Sequence, residues 1–469
     1  MKPASADYSW WGRPAGGREV AVVAAPLVIS SLSWTVMTFV DRVMLSHVSG
    51  PAMTGAFSAS TVWFLLVCFP LGLCTYANTF VSQYFGAGRL ERIGPAAWQA
   101  VWLALATGPL YLLAIPAANA LFTAVGHSPE VVASEVPYFQ VLCVGAPAML
   151  IAQAAASFFS GRGKTRVVMY TDAGFAGLNV VLDYAWIFGH WGFPEWGVVG
   201  AGWATVVSLW LKAACYVLLL LTRHNRERFG TLRGMRVEWP LLGRLLWFGT
   251  PSGLQMLLDM AGFTAFILLV GKIGPAEAEA TSVAFSVSSV AFMPVWGLSL
   301  AVGILVGQRL GEDRDDLAGR ATLTSLVLGL GYMSIISLLY LFTPGLFLAG
   351  FGGPSDSPES TSRLAAVLLR FVAAYNLLDA TAMVFAAAIK GAGDTGFVLR
   401  VSVVLATLLI ALSWLSVEVW QLGVYGSWSL ITVWVWIVAI AYVLRYQQGA
   451  WRRMRVIEPP PPDLVMATE

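Results

Sequence analysis

The chain has 469 residues, of which 58% are apolar and only 12% charged, with a formal charge of +2 and a mean hydropathy of +0.72. That excess of apolar residues excludes a soluble globule, and since about 20 apolar residues cross the hydrocarbon core as a helix, an all-α polytopic membrane protein is the expected class. The apolar runs are continuous where a membrane barrel would alternate, and a charge so close to neutral says little about partners, among which no nucleic acid is expected.

Taken in order, residues 1–17 hold Lys2 and Arg13 without the pattern of a cleavable leader, so the first span is expected to stay as an anchor. Twelve apolar runs follow, near residues 20–46, 56–82, 95–122, 132–158, 167–189, 198–222, 242–271, 281–308, 321–348, 364–389, 397–420 and 424–445. The longest polar link, 223–240, separates the sixth from the seventh. The expected organisation is therefore an N-terminal segment 1–19, a six-helix lobe 20–222, a linker 223–241, a second six-helix lobe 242–446 and a disordered, Pro-rich tail 447–469. Cys68, Cys74, Cys143 and Cys215 fall inside apolar runs without CxxC spacing and read as small core residues.

Cations occupy alternate loops. Arg13 and Arg18 precede the first span, Arg89 and Arg92 follow the second, and Arg162, Lys164 and Arg166 follow the fourth. A cluster from Arg223 to Arg236 follows the sixth, and the alternation continues through Arg309, Arg314 and Arg320, then Lys390 and Arg400, to Arg452, Arg453 and Arg455. Because short loops rich in Lys and Arg stay cytoplasmic, both termini are expected inside, in a bacterial inner membrane. The halves also repeat each other. SQYFGAGRLERIG from Ser82 matches GQRLGEDRDDLAG from Gly307, and GRGKT from Gly161 matches GAGDT from Gly391. Six spans per repeat is an even number, so the repeats share one orientation and are related by an axis along the membrane normal.

Four acids stand inside spans: Asp41, Asp183, Asp259 and Asp379. A charged side chain at the bilayer centre costs roughly 2.5–3.5 kcal/mol on insertion scales, so each is a functional candidate, with a helix-packing role as the bland alternative. Asn179 lies four residues before Asp183 and Gln255 four before Asp259, which puts amide and carboxyl on one helical face; Tyr375 and Asn376 lie one turn before Asp379. Asp172 reads as interfacial, and Arg42 either reaches outward or neutralises Asp41. Trp10, Trp11, Trp191, Trp196 and Trp239 fit an interfacial aromatic belt. His47, His127, His190 and His224 form no HExxH, and GRGKT lacks phosphate-loop spacing, so neither a membrane-embedded enzyme nor ATP-driven transport is expected.

FVDRVM in the first span, SQYFGAGR, GRGKT, LNVVLDYAWIFG followed by GVVGAGWAT, and YNLLDA with KGAGDT together resemble the multidrug and toxic compound extrusion (MATE) family, over roughly residues 26–445. The resemblance implies twelve helices in two pseudo-symmetric bundles forming a V, and a monomeric antiporter that exports drug-like, often cationic and aromatic, small molecules in exchange for sodium ions or protons, without a cofactor. It maps a first-lobe ion site, for a proton or a sodium ion, onto Asp41, Asn179 and Asp183, with Thr205 beside them. Asp259 and Asp379, with Gln255, Tyr375 and Asn376, become the second-lobe site for cation or substrate. Two positions depart from the NorM-type pattern: Asp259 stands where Glu is usual, and Asp183 is closer to the DinF-type branch. The rival within the same fold superfamily is a flippase of lipid-linked sugars, which calls for a cationic cavity; Lys212 and Arg370 are the intramembrane cations that would supply it.

Overall fold

The computed structural model describes residues 9–348 and 358–459. In hydrocarbon every backbone N–H and C=O must be satisfied within the protein, and long apolar segments do this as helices. The first lobe comprises α1 (Gly17–Val48), α2 (Gly50–Thr75), α3 (Ala77–Gly86), α4 (Ile93–Ala106), α5 (Gly108–Val125), α6 (Pro129–Ser160), α7 (Thr165–Ile187) and α8 (Gly197–Leu220). A short α9 (Arg223–Phe229) lies in the link. The second lobe comprises α10 (Trp239–Gly271), α11 (Pro275–Gly311), α12 (Asp315–Phe342), α13 (Pro344–Leu348), α14 (Pro358–Ala392), α15 (Thr395–Trp414) and α16 (Gly423–Gln447).

Two expected spans are broken in the middle of their courses. The second divides at Tyr76 into α2 and α3, and the third divides at Thr107, where Pro109 in the first turn of α5 removes a donor and restarts the helix. Among the described residues, eleven helical segments are long and apolar enough to cross a membrane. The twelfth expected span is present as α7, but Asp172, Asn179 and Asp183 make it too polar to qualify by composition. It is tolerated because Asn179 and Asp183 are buried against neighbouring helices and kept from lipid.

The duplication read in the sequence carries through to packing. In the first lobe α1 packs on α7, α2 on α6, and α6 on α8; in the second α10 packs on α15, α11 on α14, and α14 on α16. The lobes then cross over, α1 against α11 and α2 against α10. This junction lies on the halves of the helices nearest the chain termini. Val28 meets Gly297, and Gly72 meets Gly253, where any Cβ would collide with the opposing backbone.

At the terminal end a reciprocal clasp joins the lobes. Gln83 donates to the Gly391 carbonyl at 2.9 Å, and its repeat mate Gln308 donates to the Gly161 carbonyl at 2.7 Å. Gly161 and Gly391 are themselves the matched glycines of GRGKT and GAGDT. Gly86 and Gly311 repeat the symmetry: a Cβ on Gly86 would fall on the Gln308 carbonyl oxygen, and one on Gly311 on that of Gln83. Glu19 pairs with Arg309, and Thr324 donates to the Ala15 carbonyl at 2.9 Å. On the opposite half, the hydrogen bonds and ion pairs of the described residues stay within one lobe.

The chain beyond α16 departs from the expected disorder. Residues 450–453 form a helical turn, with Trp451 stacked on Tyr446 at 4.8 Å, and the strand of chain after it lies across the clasp. Val456 is fully buried; its N–H donates to Gln83 Oε1 at 2.8 Å and its carbonyl accepts from Arg244. Glu458 accepts from the Tyr84 hydroxyl and from Arg89, each at 2.5 Å. Composition alone could not place this segment, because its partners lie between 212 and 374 residues upstream. The remainder of the expected tail, 460–469, is outside the described residues. Arg162, at the same end, lies 3.8 Å from the Phe158 ring and 4.2 Å from the Phe229 ring, which fastens the link to the first lobe. Burial, with Arg228 nearby, brings its guanidinium down to about 10, still charged at neutral pH.

Candidate ion and substrate sites

Three helices of the first lobe bring four of the expected residues together. Asp41 comes from α1, Asn179 and Asp183 from α7, and Thr205 from α8, and all are buried. The amide of Asn179 is oriented by its surroundings: with its nitrogen toward the acids it donates to Asp41 Oδ1 at 3.3 Å and to Asp183 Oδ2 at 3.1 Å, while its oxygen accepts from the Thr205 backbone N–H at 3.2 Å. The other orientation would set acceptor against acceptor. Asp41 and Asp183 also lie within hydrogen-bonding reach of each other, and Asp183 Oδ1, buried, meets no donor among the described residues, so the site keeps one acceptor open. Tyr138 on α6 adjoins both acids and was not legible in the sequence, where it is one tyrosine among fourteen.

The neighbouring charges do not close this site. The Arg42 guanidinium lies over the Phe57 ring, 4.7 Å from its centroid, and acts on Asp41 as a nearby charge without a hydrogen bond to it among the described residues. Asp172, on the same helix as Asp183, is in the opposite situation. It accepts from Ser30 of α1 and from the Tyr216 hydroxyl of α8 at 2.9 Å, and lies 3.6 Å from Lys212. Asp172 therefore ties three helices together. It also accounts for Lys212, one of the two intramembrane cations that a phosphate-binding cavity would need.

In the second lobe Gln255 donates to Asp259 Oδ2 at 3.1 Å, as the four-residue spacing implies. The same amide accepts from the Lys390 ammonium at 3.1 Å, so an intramembrane chain Lys390–Gln255–Asp259 links α14 to α10. Ser402 of α15 also adjoins Asp259, which stays solvent-accessible within this frame. Sequence reading placed Lys390 with the loop cations; its side chain instead turns into the lobe. Asp379 stands apart, without a hydrogen bond or ion pair among the described residues. Its two expected companions divide: Tyr375 adjoins it and Ser288, whereas Asn376 donates away from it, to Ser337 at 3.3 Å.

One further acid was missed. Glu135, fully buried near the start of α6, accepts from or donates to His127 Nδ1 at 2.7 Å and leaves Oε2 unpartnered. The pairing joins a loop to a helix eight residues on. Among the described residues no three His, Cys, Asp or Glu side chains cluster as a metal site.

The family signature MatE matches residues 26–185 and 251–415, more than two thirds of the chain. A probable multidrug resistance protein NorM of Xanthomonas campestris pv. campestris is 29% identical over 383 residues, covering 81% of this chain and 82% of that protein. The multidrug resistance protein PmpM of Pseudomonas aeruginosa is 29% identical over 387 residues, covering 81% and 79%. In fold, the chain is similar to a solved structure of a multidrug resistance MATE family transporter in an outward-facing conformation, with a TM-score of 0.85, 21% identity, and coverage of 97% of this chain and 100% of that one.

Proposed function

The chain belongs to the MatE family, and on that premise we propose that this membrane transporter is a secondary antiporter that exports drug-like organic compounds, often cationic and aromatic, in exchange for protons or sodium ions. The observation that carries this reading is the first-lobe cluster. Two buried carboxyls share one neutral amide and the field of one nearby guanidinium, that of Arg42, so the cluster is electrically balanced only when one proton or one monovalent cation joins it. A cluster that must take up a cation to be buried is suited to carry one across the membrane.

The donor set favours the proton. Sodium is a hard cation that takes several oxygen ligands, yet the Asn179 oxygen is engaged by the Thr205 N–H and its nitrogen faces the acids. The carboxyl oxygens of Asp41 and Asp183 remain, and a single proton between them, with the Arg42 charge nearby, restores balance. The second-lobe acids Asp259 and Asp379 then serve the substrate. On this reading the terminal end is cytoplasmic, supported by the alternation of Lys and Arg loops, so the clasp closes the inner side and the lobes part toward the outside. Protons bind from outside, the clasp opens, the proton leaves inward, and substrate enters in its place.

Reconstitution in liposomes tests this directly. Ethidium is expected to move against an imposed proton gradient and to stay still under a sodium gradient alone. Movement under sodium only would overturn the choice of ion; no movement of any organic cation under either gradient would overturn the antiporter reading.

A further inference from the structure

Resting on that reading, we infer that Lys390 is a positioning residue that couples occupancy of the Asp259 carboxylate to closure of the clasp between the lobes. Lys390 is held at both ends. Its ammonium donates to Gln255 Oε1 at 3.1 Å, and Gln255 in turn donates to Asp259 at 3.1 Å. Its own carbonyl accepts from the Tyr76 hydroxyl of the other lobe at 2.9 Å, and the next carbonyl, Gly391, accepts from Gln83 at 2.9 Å. One residue therefore joins the second-lobe acid through its side chain and the first lobe through its main chain.

The helix end explains why this link can transmit. Residues 389–392 are the last turn of α14; the Ile389 and Lys390 carbonyls accept from the backbone of Gly393 and Asp394, and Tyr76 and Gln83 add bonds to the Lys390 and Gly391 carbonyls from across the interface. Those bonds form only while the turn keeps its register. Competing anchors for the ammonium are taken: Asp394, four residues on, pairs with Arg445 at 2.7 Å. The Gln255–Asp259 arm thus holds the side chain, and a cation seated on Asp259 draws the carboxylate away from the amide and repels the ammonium. The last turn of α14 then loses its inward tether, and the carbonyls that face Tyr76 and Gln83 shift with it.

The test uses the full chain in nanodiscs, its four native cysteines replaced by alanine and spin labels placed at Arg166→Cys and Arg400→Cys, exposed positions at the terminal ends of α7 and α15. Lys390→Met, without any dye, is expected to move about half of the closed population to longer interlobe distances, whereas Lys390→Arg keeps the wild-type distribution. Gln255→Leu cuts the same link with the ammonium intact and should act like Lys390→Met. Ethidium should lengthen the distance in the wild type and in Lys390→Arg, and leave Lys390→Met unresponsive while still binding it, several-fold more tightly. Either cut variant, monodisperse and keeping both the wild-type distribution and its response, overturns the coupling. Failure of the wild type to bind any organic cation overturns the antiporter reading instead, and the coupling is then decided by the dye-free distances alone.

Discussion

In the first lobe, Asp41 and Asp183 face one another across a neutral amide, whereas in the second, Asp259 faces an amide whose other end holds the Lys390 ammonium. The two arrangements use the same parts, an aspartate with an amide four residues before it on one helical face. The neighbour beyond the amide sets them apart. A carboxyl there leaves the first site short of a positive charge; an ammonium there gives the second a charge of its own, which an arriving cation must displace. The two pairs lie on α7 and α10, which are not mates in the repeat, and on the proposed reading this difference gives the ion to one lobe and the substrate to the other.

Exchange of the two phenotypes between lobes would break this comparison. Asp183→Asn is expected to lower proton-driven ethidium transport by about 100-fold while ethidium affinity changes less than threefold. Asp259→Asn should instead weaken ethidium binding by about tenfold, a loss of roughly 1.4 kcal/mol. Both are read by liposome flux and by fluorescence titration of the purified protein. A Asp183→Asn protein that transports normally but binds poorly would reverse the assignment.

The clasp supplies the next largest effect, because it must open and close whichever lobe holds which ligand. An alanine at Gly86 would press its Cβ on the Gln308 carbonyl. Overpacking of this kind costs about 1–3 kcal/mol, so the closed state should be depopulated by roughly 5- to 150-fold and transport should fall with it. The interlobe distance at the terminal end should lengthen in the same variant. An unchanged distance would mean that the junction yields elsewhere and that the symmetry of the clasp is without consequence.

Asp172 sharpens the comparison as an acid that is already satisfied. Its removal as Asp172→Asn leaves Lys212 half-buried without its counter-charge and weakens the Tyr216 bond, at a cost of about 2 kcal/mol in stability. Transport per folded molecule should stay within about twofold of wild type, since Asp172 touches neither site. Thermal denaturation of the purified variant reads the first quantity and flux normalised to folded protein the second. Loss of flux without loss of stability would move Asp172 into the transport machinery.

Much of this was legible because it is local. Asn179 and Asp183, or Gln255 and Asp259, announce their pairing by helical spacing, and the repeat of SQYFG and GQRLG located both halves of the clasp before their contact was known. Helical periodicity says which residues share a face, but not what the face meets. Lys390 was therefore read as a loop cation, Asn376 was assigned to Asp379 when its partner is Ser337, and Glu135 passed unnoticed because its partner His127 lies in a loop. The ties of Asp172 were hidden for the same reason: Ser30, Tyr216 and Lys212 come from two other helices. The tail was the largest departure, since proline-rich composition hides a short stretch whose affinity is for a surface built by both lobes.

That stretch gives the smallest expected effect and the one with a definite dependence on pH. Burial raises the Glu458 carboxyl, but the hydroxyl donated by Tyr84 and the charges of Arg89 and Arg92 outweigh it and hold the group below its ordinary value of 4.5. A carboxyl depressed in the docked state stabilises docking at pH values above the ordinary one, and that contribution is lost as pH falls through the depressed value. Acid on the terminal side should therefore loosen the strap, and neutral pH should hold it. Glu458→Gln keeps the shape and removes the charge; the pair is partly exposed, so the closed population should fall by only about threefold at pH 7 and should stop responding to pH between about 5 and 3. Spin-label distances at the terminal end, measured across that range, separate the two cases. A wild-type distribution insensitive to acid would mean that Val456 and its buried bonds to Gln83 and Arg244 hold the strap alone, and that the strap, like Asp172, is a tie of the fold and takes no part in the opening of the clasp.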